Sequence, residues 1–132
     1  MEAMRIYVRY DLPDENNETR RERNERFGYK ETPNFEIPDG GFYIWDLYTE
    51  LSNAIHRVDF NGYYYKLLPS EIIAWSKLTG TDISSSEYEI ITAMDTVFCN
   101  ELNKDKKATE DRKYEQQKQE MEKSAKRRKF RR

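Results

Sequence analysis

The chain is short of the residues that most often carry chemistry. One cysteine and one histidine occur in 132 residues. With Cys99 alone, no internal disulfide can form, and one Cys with one His cannot supply the ligand set of a zinc site. Cys99 sits among apolar positions at helical spacing, so a buried, reduced thiol is expected. No apolar run approaches the ~18 residues of a membrane helix. The N-terminus also lacks the apolar stretch of a secretory signal. These absences predict a protein of a reducing cytoplasm with no membrane partner.

The sites of an enzyme are missing too. Gly40-Gly41 and Gly80 are not spaced as a phosphate loop. His56 stands alone near the end of a helical pattern, where an imidazole complements the carbonyl end of the helix. The hydroxyls of Ser84–Ser86 have no base beside them, and capping explains them. Asp82 and Asp95 do not form a spacing that demands paired carboxylates. The expectation is no catalytic residue, no cofactor and no metal.

What the chain has in abundance is charge, at 36% of residues against an average near ~25%. Residues 1–103 hold 10 Lys and Arg against 19 Asp and Glu, a net −9, whereas residues 104–132 hold 13 against 6, a net +7. An acidic body thus carries a basic tail, and the overall −2 conceals it. The length allows one small domain. The sequence divides into residues 1–35, an N-terminal strand and polar linker; 36–103, a helical domain; and 104–132, a basic tail, helical or disordered.

"MRIYVRY" (Met4–Tyr10) alternates apolar and basic residues, the period of a short strand. Asp14–Arg26 has charge pairs such as Glu22 and Arg26 but no apolar stripe, which favours a solvated linker over a helix. "TPNFEIPDGG" is an extended approach ending in a turn. From Phe42, the residues Ile44, Leu47, Tyr48, Leu51, Ala54, Ile55 and Val58 recur at steps of three and four, one helical face. "DFNGYYYK" carries Asn61-Gly62, a hairpin signal that a type I′ turn would explain. Its flanks are short, which favours an ordered loop.

Pro69 suits the first turn of a second helix, with Ile72, Ile73, Trp75 and Leu78 as its buried side and Gly80 as its left-handed stop. A third helix opens at Ser84, whose spacing to Glu87 is that of a capping box. Its stripe is Tyr88, Ile91, Met94, Val97, Phe98 and Leu102. Asp95 lies at the margin of that stripe and needs a partner if buried. A structural bridge to Arg57 is expected. The fold class is therefore mainly α: a small three-helix domain, a short N-terminal strand or arm, and a charged C-terminal helical extension.

Two features suggest binding. Lys126, Arg127, Arg128, Lys129, Arg131 and Arg132 crowd the C-terminus, suited to salt-sensitive docking on phosphate or acidic surfaces or to a merely solvated end. An acidic body with a basic tail also permits head-to-tail self-association. Trp45, Tyr48, Tyr63, Tyr64, Tyr65 and Trp75 offer contact area at low entropic cost, or they cap a small core.

The order of these signals resembles a family. "EIPDGGFYIWDLYTELSNAIHRV" and "LLPSEIIAWSKLTGTDISSSEYEIITAMDTVF" look like the small helical tail assembly chaperones of long-tailed bacteriophages. The resemblance rests on Trp45 with Leu51-Ser52 and Arg57, then Glu71-Ile72, Ala74-Trp75 and Leu78-Thr79-Gly80, then Glu87 and Met94-Asp95. It covers roughly Glu36 to Asn100. "FNGYYYK" is more aromatic than the Gly/Pro-rich loop expected there. The resemblance implies a non-catalytic protein of the host cytoplasm during virion assembly, absent from the mature virion. It implies binding to the tape-measure protein and recruitment of the tail-tube protein. The alternative is a small phage nucleic-acid-binding or regulatory protein that acts only through the basic tail.

Overall fold

The computed structural model describes residues 1–14, 16–29 and 31–130. Five α-helices run in order: α1 (Glu2–Ile6), α2 (Arg20–Arg26), α3 (Phe42–Ala54), α4 (Pro69–Thr79) and α5 (Ser85–Phe130). A π-helical turn at Tyr7–Asp11 continues α1. The mainly α expectation holds, but the count of three helices does not, and the described residues contain no sheet.

The N-terminal strand expected at Met4–Tyr10 is a helix. Met4 and Val8 are its buried residues, and their spacing of four places them on one helical face. A segment this short fits both periods. Packing on α5 decides the matter, aided by an ion pair from Arg5 to Glu101 (3.5 Å).

The polar stretch expected to be a solvated linker contains α2, which is held by charge rather than apolar burial. Thr19 and Glu22 form a capping box, with Thr19 Oγ1 accepting from the Glu22 N–H (3.1 Å) and Glu22 Oε2 from the Thr19 N–H (3.2 Å). Arg21 then grips Asp11 through two nitrogens (2.8 and 3.1 Å) and donates to the Pro33 carbonyl (2.6 Å). That fork ties the π turn, α2 and the following extended segment together.

The core gathers Met4, Val8, Leu47, Tyr48, Leu51, Leu67, Ile72, Ile91 and Met94. α3 ends at Ala54, and the chain then turns through a very short hairpin with one antiparallel bridge, Val58 to Tyr64. The turn is not type I′, because Asn61 does not adopt positive φ; only Gly62 does (84°). The Asp59 carbonyl accepts from the Gly62 N–H (3.0 Å), and the Asp59 carboxylate accepts from the N–H groups of Asn61 and Tyr63 (both 2.9 Å). A β-carbon on Gly62 would meet the Lys106 side chain at 2.9 Å, so the hairpin lies close on α5.

α4 begins with Pro69 and ends at Gly80 (φ 66°), where the Thr81 N–H returns to the Ser76 carbonyl (3.1 Å), a left-handed helix stop. Its buried side is smaller than expected. Ile72 is buried and Trp75 half-buried, but Ile73 and Leu78 are exposed, at 56% and 88%. Replacing Met4 or Leu51 by Ala should cost about 2–5 kcal/mol in urea unfolding. Phe60→Ala, at a fully exposed ring, should change stability by no more than ~0.5 kcal/mol.

Candidate partner-binding surface

The sequence placed six aromatic residues at a contact surface; in the fold Tyr48 is buried, Trp45, Tyr63, Tyr64 and Trp75 are half-buried, and Tyr65 is exposed. Trp45 is half-buried, stacked on Phe35 (5.5 Å between ring centres, 12° between planes) and edge-on to Tyr7 (5.5 Å). It joins the N-terminal helix and the extended segment to α3. Trp75 packs against the core from α4.

Tyr48 is 1% exposed and cannot reach a partner. Its hydroxyl donates to Asp95 Oδ1 (2.8 Å) and accepts from an Arg57 amino group (3.1 Å). Burial, then the neighbouring Asp95 carboxylate, pushes its pKa far up. The period of three and four that made Tyr48 part of the apolar face already carried this outcome.

Arg57 and Asp95, 1% and 2% exposed, form an ion pair at the centre of the molecule. Asp95 Oδ2 also accepts from the Leu67 N–H (2.8 Å), and Arg57 donates to Ser52 Oγ (2.6 Å) and to Cys99 Sγ (3.4 Å). The Phe98 ring faces the guanidinium at 4.9 Å. Burial works against the Arg57 charge, but Tyr48 and Asp95 outweigh it and raise its pKa. Burial, then Asp95, pushes the Cys99 thiol up to about 11. The cluster links α3, the hairpin, the loop before α4, and α5.

Tyr63, Tyr64 and Tyr65 line the hairpin rather than a free loop. Tyr64 is half-buried, and its backbone exchanges two hydrogen bonds with the Asn103 side chain (both 2.8 Å). Its ring meets Phe98 edge-on at 5.8 Å. The Tyr63 hydroxyl donates to Glu110 Oε2 (2.7 Å), with the Lys106 ammonium 5.5 Å above its ring. The Tyr65 ring is 44% exposed, and its hydroxyl donates to the His56 carbonyl (3.3 Å). These contacts fasten the hairpin to the base of the C-terminal arm.

α5 opens on Ser84, whose Oγ accepts from the Glu87 N–H (3.2 Å) while Glu87 Oε1 accepts from the Ser84 N–H (3.1 Å). The Ser84 N–H holds the Glu87 carboxyl below its usual range. From Lys107 to Phe130 every residue of α5 is exposed, including Lys126, Arg127, Arg128 and Lys129. Arg131 and Arg132 lie outside the described residues.

The exposed apolar side chains that sequence reasoning missed lie on α4 and the first turns of α5. Leu68, Ile73, Leu78, Tyr88 and Ile90 are exposed. A groove of about 560 Å³ runs between Pro69, Ile72, Ile73 and Ser76 on one side and Ile83, Ser85 and Tyr88 on the other. Ile73 and Leu78 were read as core because the pattern marks them as apolar. The only available sign of exposure was that α4 has more apolar residues than one face can bury. Among the described residues, no group of His, Cys, Asp and Glu is arranged to hold a metal ion, and no helix is long and apolar enough to cross a membrane.

A small helical body with uncovered aliphatic side chains and a long projecting helix is an arrangement suited to contacts with other proteins. The family model for the phage tail assembly chaperone matches residues 22–100, more than half of the chain, and the protein belongs to that family. The matched span begins within α2, ends about a third of the way along α5, and excludes α1 and the arm. No curated protein and no solved structure matches the chain.

Removing one partner of the central pair should be severe. Asp95→Ala leaves Arg57 buried and uncompensated, at a cost of about 3–5 kcal/mol. With Arg57→Met added, part of that loss should return, giving a coupling of about 0.5–3 kcal/mol in a double-mutant cycle by urea unfolding.

Cys99 gives a pH test. Its folded pKa of about 11 lies above the ordinary 9.0. The stability linked to its protonation is therefore complete below pH 9 and lost as pH rises through about 11. Alkylation by iodoacetamide should be slow in the native protein at neutral pH and fast in urea.

Proposed function

We propose that this member of the family binds the tape-measure protein of its phage, keeps it soluble during tail assembly and helps recruit tail-tube subunits. The observation that carries the reading beyond the family is the set of uncovered apolar side chains on α4 and early α5, Ile73 and Tyr88 at the groove and Leu78 and Ile90 on other faces. Long helical clients present apolar residues at helical spacing, and a helix lying against such a surface is a recurrent mode of recognition. The role is non-catalytic. It is exercised in the host cytoplasm, and the chain leaves before the virion is complete.

The client contacts follow the exposed side chains rather than the buried aromatics. Leu78 and Ile90 on the helices, and Phe60 and Tyr65 on the hairpin, replace Trp45 and Tyr48 as candidates. The basic end of α5, Lys126 to Lys129, supplies salt-sensitive attraction to acidic client segments.

The test is co-expression of the chain with the tape-measure protein of the same genome, followed by a pull-down at low and high salt. The tape-measure protein should be soluble and retained, and Leu78→Asp with Ile90→Asp should reduce its recovery about tenfold, a loss of ~1.4 kcal/mol. Co-purification of nucleic acid without the tape-measure protein would overturn the proposal and leave the basic tail as the functional element. Detecting the chain in purified virions would overturn its departure.

A further inference from the structure

Residues 1–10 contribute to the core but are tied to it loosely. Met4 and Val8 belong to the same buried cluster as Leu51, Ile91 and Met94. Among the described residues, however, the backbone hydrogen bonds of residues 1–10 stay within α1 and the π turn. The one polar tie from these residues to the body, again among the described residues, is the ion pair of Arg5 with Glu101 (3.5 Å). Arg5 is exposed, and ion pairs of exposed groups contribute little. Tyr7 adds edge-on ring contacts to Phe35 and Trp45.

Firm attachment begins at Asp11, which the Arg21 fork holds (2.8 and 3.1 Å). Leu12 then leaves the helix with an extended backbone. Just before this point the chain winds as a π-helix over Tyr7–Asp11, a rare register found frequently at functional sites. Residues 1–10 can therefore lift as a unit about Asp11–Leu12 while the rest keeps its ties. They lie outside the family match at residues 22–100, whereas Trp45, Leu51, Ile91 and Met94 of the cluster they cover lie inside it.

The covered surface already holds a helix. α1 and the π turn lie along α5, with Met4 and Val8, one turn apart, in the core and Arg5 beside Glu101. A short helix set into a groove by anchors one turn apart is a general mode of recognition. We infer that α1 and the π turn are an internal strap over a second client site on α3 and α5, which a helix of the tape-measure protein enters by displacing them. The inference rests on the proposed function. The client helix is amphipathic, with apolar residues one turn apart and a basic residue after the first, the pattern of Met4, Arg5 and Val8. Trp45, Leu51, Ile91 and Met94 line no part of the α4–α5 groove.

The strap makes an unusual demand on mutants. Only the open fraction of molecules accepts the helix, so apparent affinity scales with that fraction. Weakening the strap should therefore strengthen capture while it destabilises the fold. Neither a plain core residue nor a client contact would behave in this way.

Native-state hydrogen exchange on the unaltered chain is the first measurement. Amides of Tyr7–Tyr10 should be at least tenfold less protected than those of Leu51 and Ile91–Asp95. Equal protection in the two regions would overturn the inference. The second measurement is recovery of the tape-measure protein by full-length variants, each checked by circular dichroism. Val8→Ala should raise recovery at limiting concentration about tenfold, and Leu51→Ala should not raise it. Arg5→Cys with Glu101→Cys, joined by a short bis-maleimide, should recover at least tenfold less than the same protein capped with N-ethylmaleimide. Cys99 is buried, with its thiol pushed up to about 11, so labelling is confined to the two new cysteines. If Val8→Ala fails to fold, the joined and capped forms decide. A tape-measure protein held equally by those two forms would overturn the strap and leave the proposed function standing. One held by no form, the unaltered chain included, would overturn both. A dimer of Val8→Ala would place a second copy under the strap and overturn the client as occupant.

Discussion

The fold depends on one buried ion pair. Asp95 receives Tyr48, Arg57 and the Leu67 N–H, and Arg57 spends its remaining donors on Ser52, Tyr48 and Cys99. Taking both charges out of water is expensive, and the pair persists because nearly every lone pair and proton finds a partner. Arg57 Nε is one of the few buried polar atoms left without one. The return is positional. A hydrophobic contact tolerates sliding, whereas a guanidinium shared between helix, loop and carboxylate fixes α3, the hairpin and α5 in one register. Lysine could not replace it, since a point charge cannot reach these acceptors in several directions.

That register sets where the arm begins. Asn103 grips the Tyr64 backbone, Lys106 lies under Gly62 and against Tyr63, and Glu110 accepts from the Tyr63 hydroxyl. Up to Glu110, α5 is therefore directed by the hairpin. Beyond that point every residue of α5 is exposed, and the helix rests on its own backbone hydrogen bonds. Such a helix opens locally at much lower free energy than the core. The body is rigid where it is acidic and pliant where it is basic.

Much of this was legible in the sequence. The stripes from Phe42 and Tyr88, Pro69, Gly80, and the Ser84–Glu87 spacing all act within a few residues, and local geometry is what periodicity and capping encode. Asp95 announced itself as a carboxylate among apolar neighbours, and Arg57 was within reach of it. The misreadings have a common cause. Met4–Tyr10 is short enough to fit two periods, and packing on α5 chose the helix. The polar stretch before Phe27 lacks the apolar stripe by which a helix is recognised, and its order comes from a Thr19 cap and the Arg21 fork. Tyr48 was credited to the surface for its chemistry, although its place in the stripe already assigned it inward; Trp45 lies outside that stripe and is half-buried by Phe35 and Tyr7. Exposure of Ile73 and Leu78 was illegible, because a pattern shows which residues are apolar and not whether anything covers them.

The near-neutral total charge follows from placing opposite charges at opposite ends, and the placement has physical consequences that a mixed surface would lack. At physiological salt an exposed charge is screened within ~8 Å, so the basic end of the arm, Lys126 to Lys129, about 24 Å of helix beyond Glu110, scarcely feels the acidic body of its own molecule. Each end instead presents its charge to whatever approaches it. Attraction of that kind speeds encounter more than it strengthens the bound state, and the apolar surfaces beneath it are small. A chaperone in general gains from rapid capture and modest affinity, because it must release what it holds. A larger, better-packed interface would slow dissociation, since affinity differences between related complexes reside mainly in the off-rate. The thin cover on α4 fits a chaperone family in the same way: Ile73 and Leu78 stay uncovered in the folded chain, which leaves them free for contacts that need not last.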